Sequence, residues 1–213
     1  IIMAAVCFED RCVLAVQERK IKGTGDPKLQ FERACSKHLQ RYIEENDLKI
    51  EFHVVKDEIT VVKVCFGFLH EQQQDFLAIW GMNFDIPKVL TACERAGVDP
   101  KSILCDPRVP PELRVCEYVV GSTSQVTASG KHKPIRTANQ WHTLKLTASF
   151  YVIDAMCAYR RIRGGAELPS YSLDAILRLE MKDKDGNPTI TKLEIPEAKK
   201  HKKANWHVFM QKN

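Results

Sequence analysis

Asp85 lies between a short apolar run and a proline, in a stretch whose residue types suit metal binding. The run at residues 76–80 predicts a buried strand, which Gly81 ends. Pro87 favours the first turn of a helix, and apolar residues then recur at helical spacing up to Gly97. A carboxylate on this strand-to-helix turn is stabilised by the nearby helix N-terminus, so Asp85 is a candidate metal ligand. The alternative is that Asp85 only caps its helix.

Asp154 occupies a similar position later in the chain. Residues 150–163 predict a strand followed by a helix, with Asp154 at the junction. Here too a helix cap is the alternative explanation. Ser170 or Ser172 then predicts the start of a further helix, whose apolar face comprises Leu173, Ile176 and Leu177.

A basic stretch at residues 121–140 predicts an exposed hairpin or flap. Lys131, Lys133 and Arg136 cluster there, close to Trp141. Basic side chains beside an aromatic ring bind nucleic acid through phosphate contacts and base stacking. A solvated hairpin without a ligand accounts for the same composition equally well.

The remaining elements alternate between strand-like and helix-like patterns, which predicts an α/β fold. Residues 1–16 predict a hairpin, 29–45 one amphipathic helix, and 50–55, 59–68, 114–120 and 144–153 four strands. A turn is predicted at 182–188, and the basic run at 197–203 is typical of a solvated face.

Composition narrows the classes of protein that fit. The 213 residues are 44% hydrophobic, which is enough for one sizeable core. A net charge of +5 is compatible with a polyanionic partner without requiring one. The eight cysteines include no Cys-x-x-Cys pair, which favours reduced core thiols in a cytosolic protein over disulfides or zinc. No apolar run has the roughly 20 residues of a membrane span.

Two stretches of the chain resemble family B DNA polymerases. Residues 81–87, GMNFDIP, are similar to that family's second exonuclease motif, in which an Asn, an aromatic residue and an Asp precede a proline. Residues 168–177, LPSYSLDAIL, resemble a segment that follows this motif, and the Asp of Asp154-Ala155-Met156 resembles the family's strand-to-helix step. The resemblance covers roughly residues 1–213 and is strongest at 76–90 and 150–177, in the family's order.

The resemblance implies a 3′→5′ proofreading exonuclease domain with a ribonuclease-H-like mixed β-sheet, flanking helices and an inserted β-hairpin. It implies that Asp85 is catalytic and binds one of two Mg²⁺ or Mn²⁺ ions. It assigns substrate binding to Asn83, Phe84, Tyr171 and Asp154. The basic hairpin residues Lys131, Lys133 and Arg136 would then contact DNA.

The partners implied are the single-stranded 3′ end of DNA, primer–template DNA and a polymerase domain of the same chain, with no membrane. The resemblance suggests a phage-like source and a cytoplasmic location. Two family motifs, Asp-x-Glu and Tyr-x-x-x-Asp, are not evident, so we expect them outside residues 1–213 and expect this piece to be inactive alone. Two alternatives stay open. They are a stand-alone exonuclease acting on DNA or RNA, and an inactive domain that binds single-stranded nucleic acid.

Overall fold

The computed structural model describes residues 1–21, 25–165, 167–182 and 185–187. The chain divides into two compact units, residues 1–158 and 159–213. The basic run at 197–203 and part of the turn at 182–188 lie outside the described residues.

The described residues form nine strands and seven α-helices. The strands are β1 (Met3–Phe8), β2 (Arg11–Gln17), β3 (Lys49–Val55), β4 (Phe76–Ile79), β5 (Cys116–Val119), β6 (Ser124–Val126), β7 (His132–Pro134), β8 (Thr143–Leu146) and β9 (Tyr151–Asp154). The helices are α1 (Pro27–His38), α2 (Gln40–Glu45), α3 (Glu58–Gln72), α4 (Met82–Arg95), α5 (Lys101–Leu104), α6 (Ala155–Arg163) and α7 (Leu173–Glu180). The α/β class is therefore confirmed.

The strands pair in several small sheets. Strands β1 and β2 form the predicted N-terminal hairpin, and β3 joins β2 in parallel. Strands β4 and β9 are parallel, whereas β5–β8 and β6–β7 are antiparallel pairs. Among the described residues these strands do not join into the single mixed sheet that we expected. The β6–β7 hairpin is inserted between β5 and β8, in agreement with the prediction of an inserted hairpin.

The strand predicted at residues 59–68 is wrong, because this segment lies within α3. Asp57 caps the helix by accepting hydrogen bonds from the Thr60 backbone N–H at 2.8 Å and the Thr60 hydroxyl at 2.6 Å. Eight of its residues are buried, namely Ile59, Val61, Val62, Cys65, Phe66, Phe68, Leu69 and His70. Packing on several sides of α3 thus outweighs the strand preference of its β-branched residues.

Three further elements differ from their predictions. The helix predicted at 29–45 is broken at Leu39 into α1 and α2, because Leu39 has a non-helical backbone (φ −123°, ψ −1°). The strand predicted at 144–153 is two strands, β8 and β9, which belong to different sheets. Strand β4 is half-exposed rather than buried, since Leu77 packs into the core while Phe76 on the other face is 61% exposed.

The unit formed by residues 159–213 contains α7, which begins as predicted. The Ser172 hydroxyl accepts a hydrogen bond from the Ala175 backbone N–H at 3.3 Å and caps the helix. Glu180 at the end of α7 accepts a hydrogen bond from the Tyr159 hydroxyl and pairs with Arg163, both at 2.5 Å.

Of the helices in the described residues, none has the length and apolar character needed to cross a membrane.

The same Gly→Ala substitution should have opposite effects on stability at two positions. Gly121 starts the connection to the inserted hairpin, and a Cβ atom there would lie 1.6 Å from the backbone oxygen of Gln140. Gly67 is exposed within α3, and a Cβ atom there meets nothing within 4 Å. We expect Gly121→Ala to lower the free energy of unfolding by about 1–3 kcal/mol through overpacking. Gly67→Ala should raise it by about 0.5–1 kcal/mol through helix propensity.

Urea denaturation of both variants and the parent chain measures these two changes. Equal effects of the two substitutions would contradict the close approach of the backbone at Gly121.

Candidate functional site

The first turn of α4 presents Asn83, Phe84 and Asp85 together. Gly81 has a left-handed backbone (φ 89°), which glycine adopts without strain, and it precedes the helix. Its carbonyl accepts hydrogen bonds from the backbone N–H groups of Phe84 at 2.8 Å and Asp85 at 3.2 Å. The helix therefore starts at Met82, earlier than predicted, and Asp85 lies inside its first turn rather than before it.

Among the described residues, the carboxylate of Asp85 has no partner that compensates its negative charge. Its side chain is exposed, and no side chain of the described residues bonds to it or forms an ion pair with it. Negative charge is favoured near a helix N-terminus. Nevertheless, the protein atoms around the carboxyl group partly withdraw it from water and raise its pKa above the ordinary 3.8. A nearby cation would offset this cost.

The parallel pair β4–β9 brings the second carboxylate to the same edge. Asp154 is the last residue of β9 and lies directly opposite Ile79, the last residue of β4. Parallel strands have their carboxyl ends at one edge, so α4 and α6 both leave the sheet there. The structure thus places Asp154 and the first turn of α4 at a common edge, although the two segments are far apart in sequence.

Asp154 is a buried helix cap that uses one of its two carboxylate oxygens. Its side chain is 3% exposed, and Oδ1 accepts a hydrogen bond from the Cys157 backbone N–H at 3.2 Å. This confirms the capping interpretation. Oδ2 is also buried but has no hydrogen-bond partner within the described part of the chain. A buried carboxylate oxygen without a donor is costly, which distinguishes Asp154 from an ordinary surface cap.

Tyr118 is a residue near this edge that sequence analysis missed. Burial, together with the charge of Asp154, raises the pKa of the Tyr118 hydroxyl. That hydroxyl lies 2.9 Å from Nδ1 of the buried His142, which also accepts a hydrogen bond from the Gly121 backbone N–H. Because Nδ1 accepts, the Tyr118 hydroxyl donates and the proton is on Nε2, which faces Gln140 Oε1 at 3.2 Å. Only the pairing of β5 with β8 brings these residues together.

An apolar cluster lies beneath the first turn of α4. It consists of the buried residues Met82, Ile86 and Leu144, against which Ile79 and Val152 also pack. Met82 and Ile86 are 0% and 1% exposed, so one side of this turn is fixed in the core. The residues between them, Asn83, Phe84 and Asp85, are therefore held on the exposed side.

Phe84 is available for stacking. Its ring is 65% exposed, and Lys88 Nζ lies 5.6 Å from the ring centroid, one helical turn further on. Asn83 is exposed beside it. An aromatic face, an amide and an ammonium group together provide base stacking, hydrogen bonding and phosphate attraction.

The predicted basic residues all lie on the inserted hairpin or its flank. Lys133 is in β7 opposite Gln125, Lys131 is in the turn, and Arg136 follows the strand. All three are exposed, as are all residues of β6 and β7. The hairpin thus forms an outward basic surface.

Tyr171 belongs to the unit of residues 159–213. Its hydroxyl accepts a hydrogen bond from the Leu168 backbone N–H at 3.1 Å.

A complete metal cluster is not formed by the residues that the structure describes. No group of three or more His, Cys, Asp or Glu side chains there is arranged to hold a metal ion. Carboxylate oxygens suit Mg²⁺ or Mn²⁺, but Asp85 and Asp154 alone do not complete a site for two ions.

Comparisons with known proteins identify no relative: no family model matches the sequence, and no curated protein or solved structure shows significant similarity.

The two aspartates should differ in how they affect stability. Since the pKa of Asp85 is raised in the folded state, its ionised form opposes folding at neutral pH. We expect Asp85→Asn to increase the free energy of unfolding at pH 7, and the increase to disappear as the pH falls below 3.8. Urea denaturation at several pH values measures this difference.

Substitution of Asp154 should lower the free energy of unfolding rather than raise it. Asp154→Ala removes the cap of α6 and should cost about 0.5–2 kcal/mol, whereas Asp154→Asn keeps a capping oxygen and should cost less. A loss of stability in Asp85→Asn equal to that in Asp154→Ala would show that both aspartates are structural.

Proposed function

We propose that this chain forms part of the 3′→5′ proofreading exonuclease of a family B DNA polymerase. The observation that carries the proposal is the common edge of β4 and β9, where Asp154 and the Asn-Phe-Asp turn of α4 leave the sheet. In this proposal Asp85 is a metal ligand in the hydrolysis of a phosphodiester bond. Its uncompensated charge supports this role, because a cation would offset the burial that raises its pKa.

Further carboxylates are needed for the proposed reaction. Two-metal hydrolysis holds two ions about 3.5–4 Å apart, which two aspartates do not accomplish alone. We propose that these further carboxylates belong to the two family motifs not found in residues 1–213. One observation supports an additional strand. Strands β1 and β4 each have an edge that no described strand pairs, while Val6 and Leu77 from these strands pack on one apolar cluster.

The exposed residues of α4 would bind the DNA end. We propose that Phe84 stacks on an unpaired 3′ base and that Asn83 hydrogen-bonds to the same nucleotide. Asp154 would remain outside direct contact with the metal and position the edge of the sheet through its cap of α6. As the resemblance implies, we propose that Tyr171 also binds substrate. Such an enzyme would work on primer–template DNA in the cytoplasm.

The first experiment measures excision by the protein translated from the complete reading frame. With Mg²⁺, Asp85→Ala should lower the release of nucleotides from a single-stranded 3′ end by about 100-fold or more, because it removes a metal ligand. Asp26→Ala is the matched control, since Asp26 also caps a helix, by accepting a hydrogen bond from the Lys28 backbone N–H at 3.0 Å. This control should leave excision unchanged.

The same assay distinguishes the alternatives. Primer extension that survives Asp85→Ala would support a polymerase with a separate excision site, whereas excision without any extension would favour a stand-alone exonuclease. Residues 1–213 alone should release no nucleotide. Undiminished excision by the Asp85→Ala protein would refute the proposed role of Asp85.

A second candidate function is a domain that binds single-stranded nucleic acid without cleaving it. It is favoured by the exposed basic hairpin. Binding without excision in the complete protein would support this candidate.

The basic hairpin should contribute to binding in either case. Replacing Lys131, Lys133 and Arg136 with Gln should weaken binding to single-stranded DNA. The slope of log K against the logarithm of the salt concentration should become less steep by about 2, since each of three lost phosphate contacts contributes roughly 0.7. Fluorescence anisotropy across a salt titration measures both effects.

A matched control is available on α1. Lys28, Arg33 and Lys37 are likewise exposed, and replacing them with Gln removes the same charge from another surface. Equal losses in the two triple variants would mean that only net charge matters and that the hairpin has no particular role.

A further inference from the structure

Cys7 and Cys12 face each other across the N-terminal hairpin. They are directly opposite in the antiparallel pair β1–β2, and their Sγ atoms are 2.8 Å apart. Directly opposed residues have Cβ atoms about 4.5–5.5 Å apart, close to the 3.5–4.5 Å of a disulfide. The sulfurs are within about 1 Å of the 2.05 Å bond length, so bond formation requires little backbone movement.

Cys7 is also the most accessible of the cysteines, since Cys12 and Cys116 are half-buried and the others are buried. All eight cysteines are within the described residues, and Cys7 is the exposed one. Its neighbours on the same face of β1, Met3 and Ala5, are exposed as well, whereas Ala4 and Val6 on the other face are partly buried. The general prediction that the cysteines are core thiols is therefore wrong for Cys7, while Cys65 and Cys157 are buried, in agreement with it.

We propose that Cys7 and Cys12 are a thiol-modification site, which a small-molecule disulfide such as oxidised glutathione converts into a disulfide across the hairpin. The Cys7 thiolate attacks one sulfur of the reagent, forms a mixed disulfide and releases one thiolate. Cys12 then loses its proton and attacks Cys7 Sγ, which releases the second thiolate. In total the protein loses two protons and two electrons, and the reagent takes them up and is reduced to two thiols.

The order of these steps follows from the environments of the two thiols. The hydrogen bond with Cys12 lowers the pKa of Cys7 to about 7, whereas the same contact and burial raise the pKa of Cys12. Burial also raises the pKa of Cys65, Cys116 and Cys157 to about 11. Since the thiolate is the nucleophile and Cys7 is also the exposed thiol of the pair, Cys7 reacts first.

The experiment treats the reduced chain with oxidised glutathione, blocks the remaining thiols with N-ethylmaleimide and measures the intact mass. Six of the eight thiols should be alkylated after oxidation, against eight before. Trypsin cleaves after Arg11, between the two cysteines, so the peptides containing Cys7 and Cys12 should be joined and should separate on reduction. This result in the parent chain does not depend on any variant.

Three variants test the proposed order of attack. Cys12→Ser should accumulate one glutathionyl group on Cys7, because nothing resolves the mixed disulfide. The Cys7→Ser variant should react with oxidised glutathione at about one tenth of the parental rate or more slowly still. Cys116→Ser is the matched control and should form the Cys7–Cys12 link at the parental rate. Eight alkylated thiols after oxidation, a stable glutathionyl group on Cys7 of the parent chain, or a link to another cysteine such as Cys65 would each overturn the proposal.

Discussion

The burial of α3 on more than one side is the constraint on which the rest of the first unit depends. Ile59, Val62, Phe66 and Leu69 pack with residues of α4 and α5 and with Phe150, whereas Val61 and Cys65 pack with Ala15 and Val55 of β2 and β3. A helix with apolar residues on two sides requires a layer against each of them. The two clusters together meet this requirement. Because Leu77 and Val152 pack against the first cluster, α3 also fixes one face of the β4–β9 pair, whose ends carry the candidate site.

Part of the same helix was predicted as a strand, because its sequence does not distinguish the two structures. An apolar segment of ten residues rich in Val and Ile fits a buried strand as well as a helix buried on several sides, because both lack polar residues at regular intervals. The cap formed by Asp57 and Thr60 was a local signal for the helix. The prediction of a single strand at residues 144–153 was wrong for a different reason. Nothing local in that segment indicates that its two halves pair with different partners, since β8 pairs with β5 and β9 with β4.

The candidate site was predictable in its parts but not in its assembly. The strand-to-helix junctions at Asp85 and Asp154 follow from local patterns, and so does the cap of α7 by Ser172. The parallel pairing that brings Asp154 opposite Ile79 joins segments far apart in sequence, which no local pattern specifies. Tyr118 and His142 were missed for the same reason, because their contact depends on the pairing of β5 with β8.

Capping alone does not account for the two carboxylates at this edge. A cap requires one acceptor oxygen, and Ser, Thr or Asn supply it as well as Asp. Asp154 nevertheless buries a second oxygen without a donor among the described residues, and Asp85 keeps a charge that burial makes less favourable. Asp85 differs in this respect from the capping Asp57, whose pKa is lowered by its hydrogen bonds with Thr60. Carboxylates that oppose folding are typical of sites where a ligand supplies the missing compensation. In the proposed function a divalent cation at Asp85 would supply this compensation, because its charge and its preference for oxygen atoms suit a carboxylate.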